Sequence, residues 1–499
     1  MKKNILILLY ENDIFHCLKV AKELSKNYKI NFFLVDTISA FSNVNYTKDI
    51  VLKSEIEYEV YEDLRDEIKE FNIVADKNLE IDWEFLSNFE KEIYPSKIVA
   101  NLLKDFGINK IYNPRTYNHY PSNNLIVNKY AEMILKKISY VLNLKNYELI
   151  YTSNTSNFAR NIILSLAKNK KIKFYCPILR SGNIISLRNF TDENYLKKII
   201  EKKIDSNFFN EICSNYLENS KFFEKRESIY KLKYFLLDIL RETKNFFGNF
   251  LSKNIETYNA RFIKKRPNYF FIKSTFVVYL FLIKNTFKKF FLQKIFLKNL
   301  KLHKKIIDNF KFIYFPLHHL PEGGVFDYDE LHMENFLIEQ VAKNLPIDTF
   351  IVVKPHPDSF KYNLNFELQD LDFFKKISNI PNCIVISPHF NQNYLIKKCL
   401  TTVSVSGSAA LESCFFKKNA FTFAKTEFTG LPNISIYEKD SFITNLKNQN
   451  FKNSEYYLNF LNKYGLIGDL NKIIYVNQSE SENIEYDKKV RKLLSFIDI

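Results

Sequence analysis

From residue 311 to 434 the chain repeats a short apolar strand, a loop and a helix at least four times. A chain patterned this way satisfies its backbone most readily as a parallel sheet flanked by helices. Strands are expected at 311–317, 349–354, 382–387, 401–406 and 420–424, each short and rich in β-branched or aromatic residues. In an open α/β sheet the carboxyl ends of the strands line the crevice where ligands bind, and a helix N-terminus placed there offers unpaired N–H groups to an anion. Two of these strand ends carry polar turns: IVVKPHPDS, with Lys354, His356 and Pro357, and SVSGSAALES, with Ser406, Gly407 and Ser408. The helix opening at Ser408 turns Leu411, Phe415 and Phe416 to one face and leaves Glu412 near the turn.

The loops after four of the strands carry His318 with His319 and Glu322, then His356, then His389, then Ser406 with Ser408, so half of the chain's 8 histidines fall on one expected rim. Scattered core or surface histidines have no reason to prefer one end of successive strands. Imidazoles in a cleft are ready partners for phosphate or for acid–base chemistry.

The length of 499 residues suits two α/β domains and a connecting region. The N-terminal half opens with a strand at 4–9, a helix at 14–24 and a second strand at 30–35, half of a doubly wound domain. A less regular stretch is expected to about residue 90, then helices near 95–106 and 122–143, a strand at 148–151, a helix led by Phe158, Ile162, Ile163 and Leu166, and a strand at 173–178. The expected divisions are an N-terminal Rossmann-like domain over 1–205, a helical, basic, aromatic-rich connection over 206–308, a second Rossmann-like domain over 309–440 and a helical tail over 441–499. The opening MKKNILILLYENDIF reads as a first strand rather than a signal peptide, because its apolar run is short and no small-residue cleavage site follows. A cytoplasmic protein is expected. Six cysteines without CxxC or metal spacing read as buried thiols.

The formal net charge is +16, and the excess is concentrated. Residues 257–307 contain no Asp or Glu but thirteen Lys or Arg, interleaved with Phe276, Tyr279, Phe281, Phe287, Phe290, Phe291 and Phe296. No nucleic-acid signature accompanies this charge, and no nucleic-acid partner is expected. The block suits either the anionic inner face of the cytoplasmic membrane or a lysine-rich linker whose phenylalanines are buried between domains.

Two Rossmann-like halves joined by a helical middle make the outline of a GT-B glycosyltransferase. The ordered segments YFPLHHLPEGG, VVKPHPDS, SVSGSAALES and TEFTGLPNI resemble the bacterial capsule polysaccharide biosynthesis family, which includes β-Kdo transferases. The resemblance covers residues 311–435 well, is loose across 94–188, and touches the first ninety residues only in their strand–helix opening. It implies transfer of a sugar, such as Kdo or a related acidic sugar from a CMP-linked donor, onto a surface polysaccharide or glycolipid. It also implies His356 on the donor phosphate, Pro357 shaping its loop, Ser406 and Ser408 on the phosphate at the helix start, and Glu322 as the acid of a PE pair in the donor crevice, where a solvated loop glutamate is the other reading; Lys354 and Gly407 are counted with the donor-binding residues. Glu412 is within reach of a ribose hydroxyl in this reading, or lies on the helix surface.

The acceptor side is thinner. Asp13 follows the first strand and is a candidate base for the acceptor hydroxyl, or a helix cap. Arg115, Arg160 and Arg180 are candidates to hold an anionic acceptor, or are surface arginines. No cofactor is expected beyond the nucleotide-sugar donor as substrate. No metal is expected either, with Asp327 and Asp329 of VFDYDE read as loop. The other readings are polyol-phosphate transfer from a CDP-linked donor, as in teichoic-acid-type polymerases, and an inactive capsule-assembly scaffold.

Overall fold

The computed structural model describes residues 2–10, 13–35, 44–64, 66–67, 80–104, 124–154, 158–180, 184–192, 300–318, 334–356, 369, 371–388, 390–426, 428–429, 431–447, 466–467, 470–495 and 497, with helical pieces at 236–237, 239–241, 243–244, 247, 280, 283–284, 286–287 and 290–291. Pro357, His319, Glu322, Asp327, Asp329, His389, Cys213 and Arg115 lie outside the described residues.

The first sheet is built from β1 (Lys3–Leu9), β2 (Tyr28–Leu34), β3 (Tyr58–Asp63), β4 (Tyr147–Thr152), β5 (Lys173–Arg180) and β6 (Ile184–Asn189). With a late strand β13 (Leu466–Ile467) its order is β13-β6-β5-β4-β1-β2-β3. Strands β1 to β5 pair in parallel, whereas β6 and β13 join antiparallel. Ile5, Leu6, Ile7, Leu8 and Leu9 are all buried, as expected for a central strand covered by helices on both faces. Helix α1 (Ile14–Leu24) buries Ile14, Cys17, Leu18, Ala21 and Leu24, a stripe at spacings of three and four.

The stretch expected to be irregular before residue 90 instead contains α2 (Val44–Lys53), β3, and α3 (Trp83–Glu92). Strand β3 pairs in parallel with β2 at the sheet edge, and its charges face partners outside the core: Glu59 meets Lys29 at 2.6 Å and Lys145 at 3.1 Å, and Glu62 meets Lys137 at 2.7 Å. An edge strand tolerates acids that a central strand would not, which is why its sequence reads as loop. Helices α4 (Ile98–Lys104), α5 (Asn124–Leu144) and α6 (Phe158–Asn169) complete this layer.

The second sheet follows α7 (Leu300–Asn309) and uses β7 (Lys311–Pro316), β8 (Thr349–Lys354), β9 (Cys383–Val385), β10 (Thr402–Ser404), β11 (Ala420–Thr422) and β12 (Ile434–Ile436). Its order is β12-β11-β10-β7-β8-β9, parallel throughout. Numbered within the domain this is 3-2-1-4-5-6 read from the β9 edge, the order of a dinucleotide-type Rossmann fold. The first sheet shows the same 3-2-1-4-5 core. Both halves of the chain are therefore Rossmann-like, and the fold is a two-domain α/β architecture of the expected class. The helices of the second half are α8 (Glu334–Lys343), α9 (Leu371–Ser378), α10 (Gln392–Lys398), α11 (Ser408–Glu412) continued by a 3₁₀ turn at Ser413–Phe416, and α12 (Lys439–Lys447). Cys17, Cys176, Cys383, Cys399 and Cys414 are buried free thiols.

After β13 come α13 (Leu470–Ile474), α14 (Gln478–Ser481) and α15 (Ile484–Leu494), which return to the first domain. Tyr486, Val490, Leu493 and Leu494 pack with Ile14, Cys17, Leu18 and Ala21 of α1, and Lys19 pairs with Asp487 at 2.6 Å. At the centre of this seam His16 Nδ1 lies 2.7 Å from the Tyr486 hydroxyl and Nε2 lies 2.7 Å from the Tyr151 hydroxyl. The Tyr486 hydroxyl donates to the Ile473 carbonyl at 2.6 Å, so it accepts from Nδ1–H, while the opposite nitrogen accepts from Tyr151. His16 is thus a neutral histidine built into the fold.

Burial lowers its pKa from 6.5 to about 4. The unfolded chain takes up a proton that the folded chain refuses, so this contribution to stability is complete above pH 6.5 and is lost as the pH falls toward 4. The whole effect is about 3 kcal/mol, with about 2 kcal/mol of it gone by pH 5. Chemical unfolding at pH 7 and pH 5 is expected to show this loss in the wild-type chain and a smaller one in His16→Gln. Equal losses in the two proteins would contradict a neutral His16.

Candidate functional site

In an open Rossmann sheet the ligand crevice opens where the strand order reverses, at the carboxyl ends of the first and fourth strands. In the second domain these are β7 and β10, which are neighbours in the sheet. Their loops meet: His318 follows β7, Ser406 and Gly407 follow β10, and His318 Nε2 lies 3.3 Å from Ser406 Oγ. A Cβ at Gly407 would stand 3.4 Å from the same nitrogen, so the absence of a side chain leaves Nε2 uncovered on that side.

The orientation of His318 is fixed from behind. Glu334, the first residue of α8, is fully buried, and its Oε1 accepts from both the backbone N–H and Nδ1 of His318 at 2.9 Å. Gln369, also buried, donates to Glu334 Oε2 at 2.8 Å and to the His318 carbonyl at 3.0 Å. A carboxylate on Nδ1 keeps the proton there and directs Nε2 toward Ser406. Neither Glu334 nor Gln369 was expected in the site. The signal for Glu334 is its register: it shares the buried face of α8 with Leu337, Ile338 and Val341, at spacings of three, four and seven, where an unpartnered acid would be costly. Gln369 carries no comparable signal.

Lys354 ends β8, beside β7, and is 4% exposed. Burial lowers its ammonium to about 8, opposed by the charge of Glu412. Glu412 is buried in α11; its Oε1 accepts from Ser408 Oγ at 3.0 Å and its Oε2 from Gln392 Nε2 at 2.6 Å. Burial raises the Glu412 carboxyl, with Gln392, Ser408 and Lys354 opposing. Ser408 is thus turned along its own helix toward Glu412, and the N-cap position belongs to Gly407, which makes no side-chain cap bond. His356 follows β8 in a partly buried position. The second domain accordingly gathers His318, Lys354, His356, Ser406, Gly407, Ser408 and Glu412 along the ends of three adjacent strands.

The equivalent position in the first domain is closed. Asp13 follows β1, and Ser153, Asn154 and Arg160 follow β4, the same first and fourth strands. Arg160 Nη2 donates to Asp13 Oδ2 at 3.0 Å, Ser153 Oγ donates to the same oxygen, and Oδ1 accepts from the Tyr10 N–H at 3.0 Å and from Cys17 Sγ at 3.4 Å. Arg160 also donates to Asn154 Oδ1 and lies over the Tyr10 ring at 4.9 Å. Asp13 is fully buried and Arg160 is 1% exposed. Burial pushes the Asp13 carboxyl up while Arg160 and Ser153 hold it down; burial also disfavours the guanidinium, which Asp13 more than offsets. Two of the residues considered for acceptor chemistry, Asp13 and Arg160, hold each other in the fold. The Asp13 side chain makes no cap bond to α1. Arg180 is the last residue of β5, on the antiparallel margin of the sheet.

No family model matches the chain, and no curated protein matches it. Among solved structures it is similar to the UDP-GlcNAc 2-epimerase of Methanocaldococcus jannaschii in complex with UDP-GlcNAc and UDP, at 12% identity over 92% of this chain and 98% of that one, with a TM-score of 0.29. It is also similar to KpsC of Thermosulfurimonas dismutans, a β-Kdo 2,7 transferase, at 13% identity over 72% and 89% of the two chains, TM-score 0.28. Anabaena HepE, in complex with UDP and glucose, aligns at 9% identity over 99% of both chains, TM-score 0.23. Scores this low leave the fold resting on the two strand orders.

Proposed function

We propose that the chain is a glycosyltransferase that takes a sugar from a nucleotide-linked donor, CMP-linked and acidic in the finer reading, and places it on a surface polysaccharide or glycolipid acceptor. The observation that carries this reading is the meeting of His318, held by Glu334, with Ser406 and Gly407 at the strand-order reversal of the second domain.

The chemistry follows from the groups present. The acceptor hydroxyl attacks the anomeric carbon and loses its proton to a base, while the bond from that carbon to the donor phosphate breaks with its electron pair on the phosphate. Negative charge therefore grows beside His318, where Lys354, His356 and the backbone N–H groups at Gly407 and Ser408 offer positive charge and hydrogen-bond donors. A bound phosphate would also hold Lys354 more firmly as the ammonium against the burial that lowers it, since an adjacent anion favours the charged form. Glu412 sits one helical turn beyond, where its two neutral donors keep it out of the phosphate's way. The acceptor base is not assigned to Asp13.

The test is a screen of purified protein with CMP-, CDP-, UDP- and GDP-linked sugars, with products resolved in the presence and absence of a glycan acceptor. Acceptor-dependent release of one nucleotide is expected. Conversion of the donor sugar to its epimer without an acceptor would replace transfer by epimerisation, and turnover of a CDP-polyol alone would favour the polymerase reading.

A further inference from the structure

The Glu334 carboxylate is fully buried, and among the described residues no Lys or Arg pairs with it. Neutral donors hold it instead. Oε1 accepts from the backbone N–H and Nδ1 of His318, both at 2.9 Å, and Oε2 accepts from Gln369 Nε2 at 2.8 Å. An oxygen left bare in such a place carries its full desolvation cost, so a carboxylate there keeps its orientation only while both oxygens are satisfied. Among the described residues Gln369 is the one donor to Oε2.

The same nitrogen also donates to the His318 carbonyl at 3.0 Å. An amide nitrogen carries two protons, and both of its neighbours here are pure acceptors, so the chemistry fixes which way the amide faces. Gln369 therefore grips His318 twice, directly at its carbonyl and, through Glu334, at its ring. It is 4% exposed and stands just before α9, where the chain returns after β8. The end of β8 holds the same loop at its base, since the Leu317 N–H donates to the Lys354 carbonyl at 2.8 Å. The turn that carries His318 is thus fastened to both ends of the β8–α9 connection.

We infer that Gln369 is a positioning residue for the transfer reaction, acting through Glu334 and the residue 318 backbone to hold the His318 imidazole at one angle toward Ser406. This role rests on the donor-site reading of His318. It also accounts for the residue type: a methionine fills the same length but donates nothing, and a glutamate would set further acceptors against the two already there.

The experiment compares Gln369→Met in the wild-type and His318→Ala backgrounds. In the first, kcat is expected to fall about ten- to hundredfold, the scale of a small misplacement of a reacting group, with KM within about twofold of the wild type. In the second, the same substitution is expected to cost nothing further, because the group it positions is gone. Equal losses in the two backgrounds would overturn the inference, since a residue that only supports the fold lowers both. So would a wild-type kcat in Gln369→Met. Should that variant melt below the assay temperature, Gln369→Asn, which keeps the amide on a stem one methylene shorter, is read in the same two backgrounds. The ring nitrogens of His318 are also followed by NMR in the free protein with isotopically labelled histidine, assigned by their loss in His318→Ala. The wild type is expected to show a single tautomer with the proton on Nδ1, and the Gln369 variant a mixture of the two. Unchanged signals in the variant would overturn the clamp. This last measurement needs no donor, so a chain that turned over none of the nucleotide sugars would lose the transferase reading while the role of Gln369 toward His318 was still decided.

Discussion

Replacing His318 with alanine is expected to reduce transfer about 10²–10³-fold, the scale of losing one preorganised group beside the developing charge of a leaving group. The fold should survive. His318 lies at a loop, and Glu334 keeps two donors after the change, the backbone N–H of residue 318 and Gln369, so the stability loss is expected to be about 1–2 kcal/mol. Glu334→Gln keeps an acceptor for Nδ1 but removes the negative charge behind the ring. It is expected to lower kcat by about tenfold or more while leaving KM close to that of the wild type, because the interaction strengthens only as the phosphate departs. His356→Ala should lie in the same direction as His318→Ala. Turnover and melting measured side by side decide the matter: a His318→Ala protein that melts normally and transfers at the wild-type rate would remove the residue from the site.

The second large effect is on stability. Asp13→Asn would leave the Arg160 guanidinium buried without its counter-charge, and breaking one side of a buried pair costs about 3–5 kcal/mol. The double substitution Asp13→Leu with Arg160→Met removes both charges from the same pocket and is expected to recover most of that loss. The comparison also settles what the pair does, since an acceptor base and a structural ion pair predict different columns of the same data. If Asp13→Asn unfolds at the wild-type denaturant concentration yet loses turnover, Asp13 is the base and the pair is not a rivet.

The strands and helices that were legible in advance are those whose burial writes a pattern into the sequence. Thr349–Lys354 and Ile14–Leu24 were read residue for residue, because a doubly covered strand is an uninterrupted apolar run and a helix on a sheet has an apolar stripe. Strand β3 was not legible, since Glu59 and Glu62 are tolerated only by the edge position and its lysine partners, neither of which is local information. The antiparallel strand β6 and the two-residue β13 escaped for a related reason: their place is fixed by pairing with β5 and with each other, not by their own periodicity. At the site, the loops carrying His318, His356 and Ser406 were visible as polar turns at strand ends. What they touch was not. Glu334 and Gln369 reach His318 from 16 and 51 residues away, and Asp13 meets Arg160 across 147, distances at which only the fold determines neighbours.

The central claim is that the donor's phosphate binds where the second sheet reverses its order, and a crystal structure of the chain with the nucleotide identified by the donor screen tests it most directly. The account predicts phosphate oxygens within hydrogen-bond distance of His318 Nε2 and the Gly407–Ser408 backbone, with the Lys354 ammonium beside them. A nucleotide seated instead at the carboxyl ends of β1 and β4, displacing the Asp13–Arg160 pair, would contradict it.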